Sequence, residues 1–345
     1  MGSIATKRFT RTRNDLDGLR IGLVADTHEA QDPVSLIRRL GELGCDYHIH
    51  LGDIGGSRLA STLVREFKQR LGNMEHLSRE EMHRFDQLKQ GGMTPIWAYI
   101  ETRLGSDPAS RSRRVQETQH SYDTVVSEMS KLPATVFISG NIDKSLIKTE
   151  VVAPSFARHN ARLVVEPSFI DIGATLAVLW PSIKATESQQ LRRLEENVSE
   201  LLHLAENKAR VIVFAHEQLF KGPHPPKYKA NAEAAGHTPM TVPYFEPNPS
   251  WKLLLHFLRT LPPTVGLAFV HGHVHDPQDV IQAGAPYMKG TLSEGLMYRL
   301  YGLGTPASCH GAIGRRTLRI FTVPANQVAV LGVGPDGVKF EVLAS

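Results

Sequence analysis

Five short apolar runs, each stopping abruptly at side chains that ligate metals, constrain this 345-residue chain more than any other feature. Leu19–Ala25 stops at Asp26-Thr27-His28, and Tyr47–Leu51 stops at Gly52-Asp53-Ile54-Gly55-Gly56. Thr135–Ser139 leads into Gly140-Asn141-Ile142-Asp143, and Val211–Phe214 into Ala215-His216-Glu217. Val265–Val270 leads into His271-Gly272-His273-Val274-His275. Apolar, β-branched runs of this length predict buried strands. Between the first two, Asp32-Pro33 supplies an N-cap and a proline at the first helical position, and Leu36, Ile37, Leu40 and Leu43 share one helical face. Strand, helix, strand, with each strand releasing a polar loop from its C-terminal end, predicts an α/β sheet that binds its ligand along that edge.

The rest of the chain fits around these strands. Residues 57–131 read as a helical insertion. Leu59, Leu63 and Phe67 form one amphipathic face there, and Ser78-x-x-Glu81 is a capping box. Gly105–Arg114 reads as a loop or N-cap, and Val115–Met129 as a further helix. Residues 162–180 carry two β-rich runs joined near Glu166-Pro167, followed by an amphipathic helix over Glu187–Asn207 and another over Trp251–Thr260. Residues 221–249 are proline-rich and hold His224 and His237; a loop this long is commonly a functional lid or a disordered segment. Arg316–Thr322 and Gln327–Val333 predict strands, and the turn at 335–337 leads into Val338–Leu343 as the second arm of a hairpin. The expected organisation is a basic tail over 1–18 and one α/β domain over 19–345.

Composition narrows the function classes. Only Cys45 and Cys309 are present, which excludes a disulfide framework and a CxxC metal knuckle. The net charge is +4, and residues 1–20 alone carry +3 of it, five basic side chains against Asp15 and Asp17. The body is nearly balanced, so nucleic acid stays open as a substrate without being indicated. No apolar run reaches the length of a transmembrane helix, and the N-terminus lacks the apolar core of a secretory signal, so a cytoplasmic location is expected. The start Met1-Gly2-Ser3-Ile4-Ala5-Thr6 fits both an N-myristoylation pattern and a plain bacterial or cloning start.

The loops carry the chemistry. Asp26, His28, Asp53, Asn141, His216, His273 and His275 are seven nitrogen and oxygen donors on one sheet edge, with no thiolate among them. Such a set suits a pair of borderline or hard divalent cations. Residues i and i+2 of a strand project the same way, so Asp26 with His28 and His273 with His275 can straddle two ions. The order D-x-H, G-D, G-N, H, G-H-x-H resembles the calcineurin-like metallophosphoesterase superfamily, and the match runs from Arg20 to about Asp276. The resemblance implies a four-layer α/β/β/α sandwich holding two divalent ions, Mn2+ or Fe first, with Zn2+, Ni2+ or Co2+ as alternatives. Asp26, His28, Asp53 and His275 would hold one ion; Asp53, Asn141, His216 and His273 would hold the other. It also implies a hydrolase of phosphoric esters, in which a hydroxide bridging two metals attacks phosphorus and Asp53, Asn141 and Asp143 form the catalytic core.

One position departs from the family. The superfamily pattern has Gly-Asn-His-Asp where this chain has Gly140-Asn141-Ile142-Asp143. The missing histidine protonates the leaving alkoxide in relatives, and general-acid help of this kind contributes about 10²–10⁴-fold. Its loss directs the expectation toward a phosphodiesterase, with pyrophosphatase and phosphomonoesterase or protein phosphatase as alternatives, and a non-catalytic scaffold as the rival class. His224 and His237 are candidate substrate contacts and could replace the acid. His50 and His271 either support ligands or point to the far side of their strands. Glu217 reads as a supporting carboxylate, and Arg111, Arg113 and Arg114 as a phosphate clamp or a solvated face.

Overall fold

The apolar runs become strands because β-branched side chains suit a pleated surface that is buried on both sides. The computed structural model describes residues 18–70, 76–91, 95–104, 108–144, 148–183, 188–217, 249–273, 289–291, 297–299, 301–302, 308–313, 316–335 and 337–343. The chain opens with β1 (Leu19–Val24), α1 (Pro33–Glu42) and β2 (Tyr47–His50). Four helices follow: α2 (Arg58–Gln69), α3 (Arg79–Gln90), α4 (Pro95–Leu104) and α5 (Pro108–Met129). Next come β3 (Thr135–Ile138), α6 (Lys148–Arg158), β4 (Leu163–Val164), β5 (Ser168–Ile172), β6 (Thr175–Trp180), α7 (Ser188–Ala205) and β7 (Arg210–Ala215). Then α8 (Pro249–Thr260) precedes β8 (Gly266–His271), and the short strands β9 (Lys289–Thr291), β10 (Met297–Arg299) and β11 (Tyr301–Gly302) follow. The last strands are β12 (Ser308–Ile313), β13 (Arg316–Thr322), β14 (Val328–Gly334) and β15 (Gly337–Leu343).

These elements form a mixed α/β fold with two parallel-rich sheets. The first has the order β15-β14-β1-β2-β3-β4, and β1 through β4 run parallel. The second has the order β11-β12-β13-β8-β7-β6-β5, with β13, β8, β7 and β6 parallel. In the first sheet Val24 pairs with His50 and His50 with Phe137; in the second Ala215 pairs with His271 and His271 with Thr322. The C-terminal ends of neighbouring strands in each sheet therefore stand level, and the loops carrying the predicted ligands leave from those level ends.

Alternation along each strand sorts the core. On β7, Ile212 and Phe214 join Ile21, Leu23, Ile49 and Ile138 in a cluster drawn from both sheets. Val211 and Val213 of the same strand pack instead with Leu194, Val198, Leu254 and Phe257 of α7 and α8. Val24 and Phe137 of the first sheet pack with Leu36, Ile37 and Leu40 of α1, Val125 and Met129 of α5, and Val151 and Phe156 of α6. Burying each of these large side chains contributes about 1.5–3 kcal/mol. Helices α2 to α4 gather a smaller core of their own around Leu63, Phe85, Tyr99 and Leu104.

Two helical details differ from the sequence reading. Residues 108–114, expected as loop or cap, are helical: Pro108 occupies the first helical position, Arg113 pairs with Glu117 of the same helix, and Arg114 pairs with Glu101 of α4. α6 corresponds to no element read from the sequence; Pro154 lies inside it, and Val151, Val152 and Phe156 hold it against the sheet all the same. The basic tail, but for Gly18, and the candidate lid at 221–249, but for Pro249, lie outside the described residues.

Candidate metal centre

Backbone geometry brings the loops together first. Asp26, Asp53 and His273 adopt left-handed conformations with φ of 54°, 53° and 65°. Such a conformation costs a residue with a Cβ about 1–2 kcal/mol, and persists where the surroundings over-determine it. Here they do. The Asp26 N–H donates to the Gly52 carbonyl at 3.0 Å, and the His28 N–H to the Asp53 carbonyl at 3.3 Å. The His273 N–H donates to Asp26 Oδ2 at 2.8 Å, and the Gly272 N–H to the His216 carbonyl at 3.1 Å. Gly52, at φ 110°, admits no side chain: a Cβ there would lie 2.7 Å from the Gly140 nitrogen and 2.8 Å from His216 Nδ1.

The side chains converge on two groups that overlap. Asp53, His216 and His273 offer ligand atoms within 4.8 Å of one another, as do Asp26, His28 and Asp53. Asp53 belongs to both. His216 is fully buried; its Nδ1 lies 3.1 Å from the Leu51 carbonyl, an acceptor that assigns the proton to that nitrogen. Its Nε2 is thereby aimed at Asn141 Oδ1 at 2.8 Å, His273 Nδ1 at 3.1 Å and Asp53 Oδ2 at 3.2 Å. Six of the seven sequence-predicted ligands are thus brought together; His275 lies outside the described residues, as do His224 and His237.

Electrostatics favour a cation here. Burial opposes charge on His216, but the Asp53 carboxylate outweighs it and lifts the imidazole to about 9. Burial likewise works against ionised Asp53, yet His216, His28 and His273 hold its carboxyl below the usual range. His273 is pushed down to about 4 by burial and by His216. A proton on His216 therefore compensates a buried carboxylate at the point where nitrogen and oxygen donors face each other. Divalent cations with nitrogen and oxygen preferences fit that donor set and can displace the proton.

Residues beneath the ligands fix them. The Gly52 N–H donates to His50 Nδ1 at 3.1 Å, so the ring proton sits on Nε2 and faces Thr27 Oγ1 at 2.8 Å. The Thr27 hydroxyl donates to the Ile54 carbonyl at 2.6 Å. His50 thus ties the Asp26 loop to the Asp53 loop, and burial, holding it down to about 3, keeps it neutral. His271 lies between the Gly272 carbonyl at 2.8 Å and Thr322 Oγ1 at 3.1 Å, and burial holds it down to about 4. Glu217 accepts from the Ser182 hydroxyl at 2.6 Å, which brings in a strand end, that of β6, outside the five motif-bearing strand ends.

Asp143 is wholly buried, and burial with the nearby Asp53 charge pushes its carboxyl up. Its Oδ2 accepts the Asp53 N–H at 2.9 Å and the Gly140 N–H at 2.7 Å, while its Oδ1 accepts the Ile54 N–H at 3.1 Å and the Tyr122 hydroxyl. The Ile142 N–H donates to Asp53 Oδ1 at 2.8 Å, so Ile142 contributes its backbone to the carboxylate that both donor groups share. The phosphate-clamp reading does not hold for two of its arginines. Arg113 pairs with Glu117 at 2.9 Å and the buried Arg114 with Glu101 at 2.5 Å; Arg111 is exposed.

No family model and no curated protein matches the chain. Among solved structures, a dimetal phosphatase from Danio rerio aligns over 94% of this chain and 98% of its own, at 12% identity and a TM-score of 0.31. GAP50, the anchor in the inner membrane complex of Plasmodium, aligns over 95% and 85%, at 8% identity and a TM-score of 0.38. A purple acid phosphatase from yellow lupin seeds aligns over 89% of this chain and 54% of its own, at 11% identity and a TM-score of 0.36. No helix among the described residues is long and apolar enough to cross a membrane.

Proposed function

We propose that the chain is a metal-dependent hydrolase of phosphoric esters with a dinuclear centre. The observation that carries this is Asp53, a buried carboxylate common to two donor groups of three residues each. One group would be completed by His275 and the other by Asn141, as the resemblance to the metallophosphoesterases implies. Two divalent cations bound there, Mn2+ or Fe in the first instance, would supply Lewis acidity, lowering the pKa of water and neutralising charge on a phosphoryl oxygen.

The chain's own residues prepare the site for that chemistry. His216 holds its proton on Nδ1 against the Leu51 carbonyl and turns Nε2 inward. Asn141 places an uncharged oxygen 2.8 Å from that nitrogen. Burial of Asp26, Asp53 and His216 excludes water from the ligand side and strengthens every charge interaction within it. Ile142 offers no proton to a departing alkoxide, which favours substrates whose leaving group departs unaided, and the finer reading is therefore a phosphodiesterase. We assign the two sheets and their flanking helices to the four-layer α/β/β/α sandwich, with the 57–131 helices as an insertion, and the protein to the cytoplasm.

Metal analysis and turnover of bis-p-nitrophenyl phosphate with added Mn2+ test the reading. Two ions per chain and activity that Asp53→Asn abolishes are expected. Fewer than two ions at saturating supply, or equal inertness of wild type and Asp53→Asn while metal is bound, would overturn it.

A further inference from the structure

We propose that Tyr122, delivered by α5 from the helices between β2 and β3, is a positioning residue for the shared carboxylate Asp53; this rests on the dinuclear reading above. α5 meets the Asp53 loop at three points. Glu117 Oε2 accepts the Ser57 hydroxyl at 2.8 Å and the Leu59 N–H at 3.2 Å. Ser121 Oγ accepts the Gly56 N–H at 3.2 Å. Tyr122 donates its hydroxyl to Asp143, the carboxylate that also takes the N–H groups of Asp53, Ile54 and Gly140.

Glu117 and Ser121, at i and i+4, share one side of α5, and Tyr122 projects about 100° further round the helix. Tyr122 is 2% exposed, and its ring lies flush on the loop, since a Cβ on Gly55 would come 2.6 Å from its Cδ2. The hydroxyl is one of two donors on Asp143 Oδ1, the Ile54 N–H being the other. Without it Oδ1 keeps the Ile54 N–H alone, and the carboxylate is held by three backbone donors in place of four donors in all. The Asp53 and Gly140 N–H groups then share an acceptor that is less tightly held at its other oxygen. Asp53, held at φ 53°, must present its carboxylate to two donor groups at once, so a small rotation of its backbone is felt at both.

The test compares wild type with Tyr122→Phe, which keeps the ring, and Val126→Ala, one turn further along α5. Val126 is buried in the same core cluster as Tyr122. Mn2+ binding is measured by calorimetry, coordination by the visible absorption of the Co2+ form, and folding by thermal melts of the metal-free chains. Tyr122→Phe is expected to weaken at least one Mn2+ binding event by about tenfold, the range seen when a ligand's supporting partner is removed, and to alter the Co2+ band. Val126→Ala is expected to melt lower while binding Mn2+ as wild type does. If Tyr122→Phe melts lower but keeps both affinities and the Co2+ band, or if Val126→Ala loses as much affinity, the inference is overturned and the dinuclear reading stands. If wild type takes up fewer than two Mn2+ ions, the dinuclear reading falls and this inference with it.

Discussion

Gly52→Ala is the sharpest probe of how closely the ligand loops are seated. A Cβ at this position would lie 2.7 Å from the Gly140 nitrogen, 2.8 Å from Gly140 Cα and 2.8 Å from His216 Nδ1. The φ of 110° lies where side chains are rarely tolerated, a backbone strain of about 1–3 kcal/mol. The overlap is with backbone, so no rotamer relieves it, and overpacking of this kind adds about 1–3 kcal/mol. The summed loss is about 2–6 kcal/mol of metal-free stability. Relief requires Gly52 and Gly140 to part or His216 to tilt, and either motion displaces a donor from Asp53, so Mn2+ affinity should fall about 10–100-fold. Gly44→Ala is the control: φ is 61°, but nothing lies within 4 Å of its Cβ, so only backbone strain of about 1–2 kcal/mol is expected and metal binding should not change. Urea unfolding followed by far-UV circular dichroism, with Mn2+ calorimetry, reads both quantities. A Gly52→Ala protein that unfolds at the wild-type midpoint, or that binds Mn2+ like wild type, would refute the argument.

Ile142→His should restore a side chain able to protonate a leaving group, raising alkyl-ester turnover relative to aryl by up to about 10²-fold. Plots of log kcat against leaving-group pKa check this, and a flat wild-type dependence that the substitution leaves flat would show that an acid is supplied elsewhere. Ser78→Ala removes the capping box in which Ser78 Oγ accepts the Glu81 N–H at 3.2 Å and Glu81 returns the bond to the Ser78 N–H at 2.8 Å. It should destabilise α3 by about 0.5–2 kcal/mol in urea titrations and leave Mn2+ affinity at the wild-type value; a change in affinity would couple α3 to the centre.

Much of the metal edge was legible because its signals are local. The strand ends fall within a residue or two of those read from apolar runs, and the Asp32 and Ser78 caps form the side-chain bonds their spacing predicts. Sheet membership was not legible. β13 enters the second sheet beside β8 while β14 and β15 return to the first, and alternation alone carries no label for which sheet a strand joins. Tyr122 escaped notice for a related reason. With Val125, Val126 and Met129 it forms an apolar helical face, and only the fold shows that its hydroxyl reaches a carboxylate. α6 matched no element read from the sequence; it carries Pro154, whose local penalty is overridden by packing from Val151 and Phe156. His50 was ambiguous because strand alternation leaves its side undetermined until the Gly52 and Thr27 bonds are seen.

The left-handed backbone at Asp26, Asp53 and His273 sets a trade-off for anyone evolving this chain. Glycine would occupy all three positions with less strain, and asparagine tolerates such angles better than most residues. That relief is set against the bonds these side chains make, since without the two carboxylates the His273 and Ile142 N–H groups lose their acceptors. A thermostable library screened without a requirement for metal would keep or lose each residue by whether its backbone strain or its hydrogen bonds weigh more.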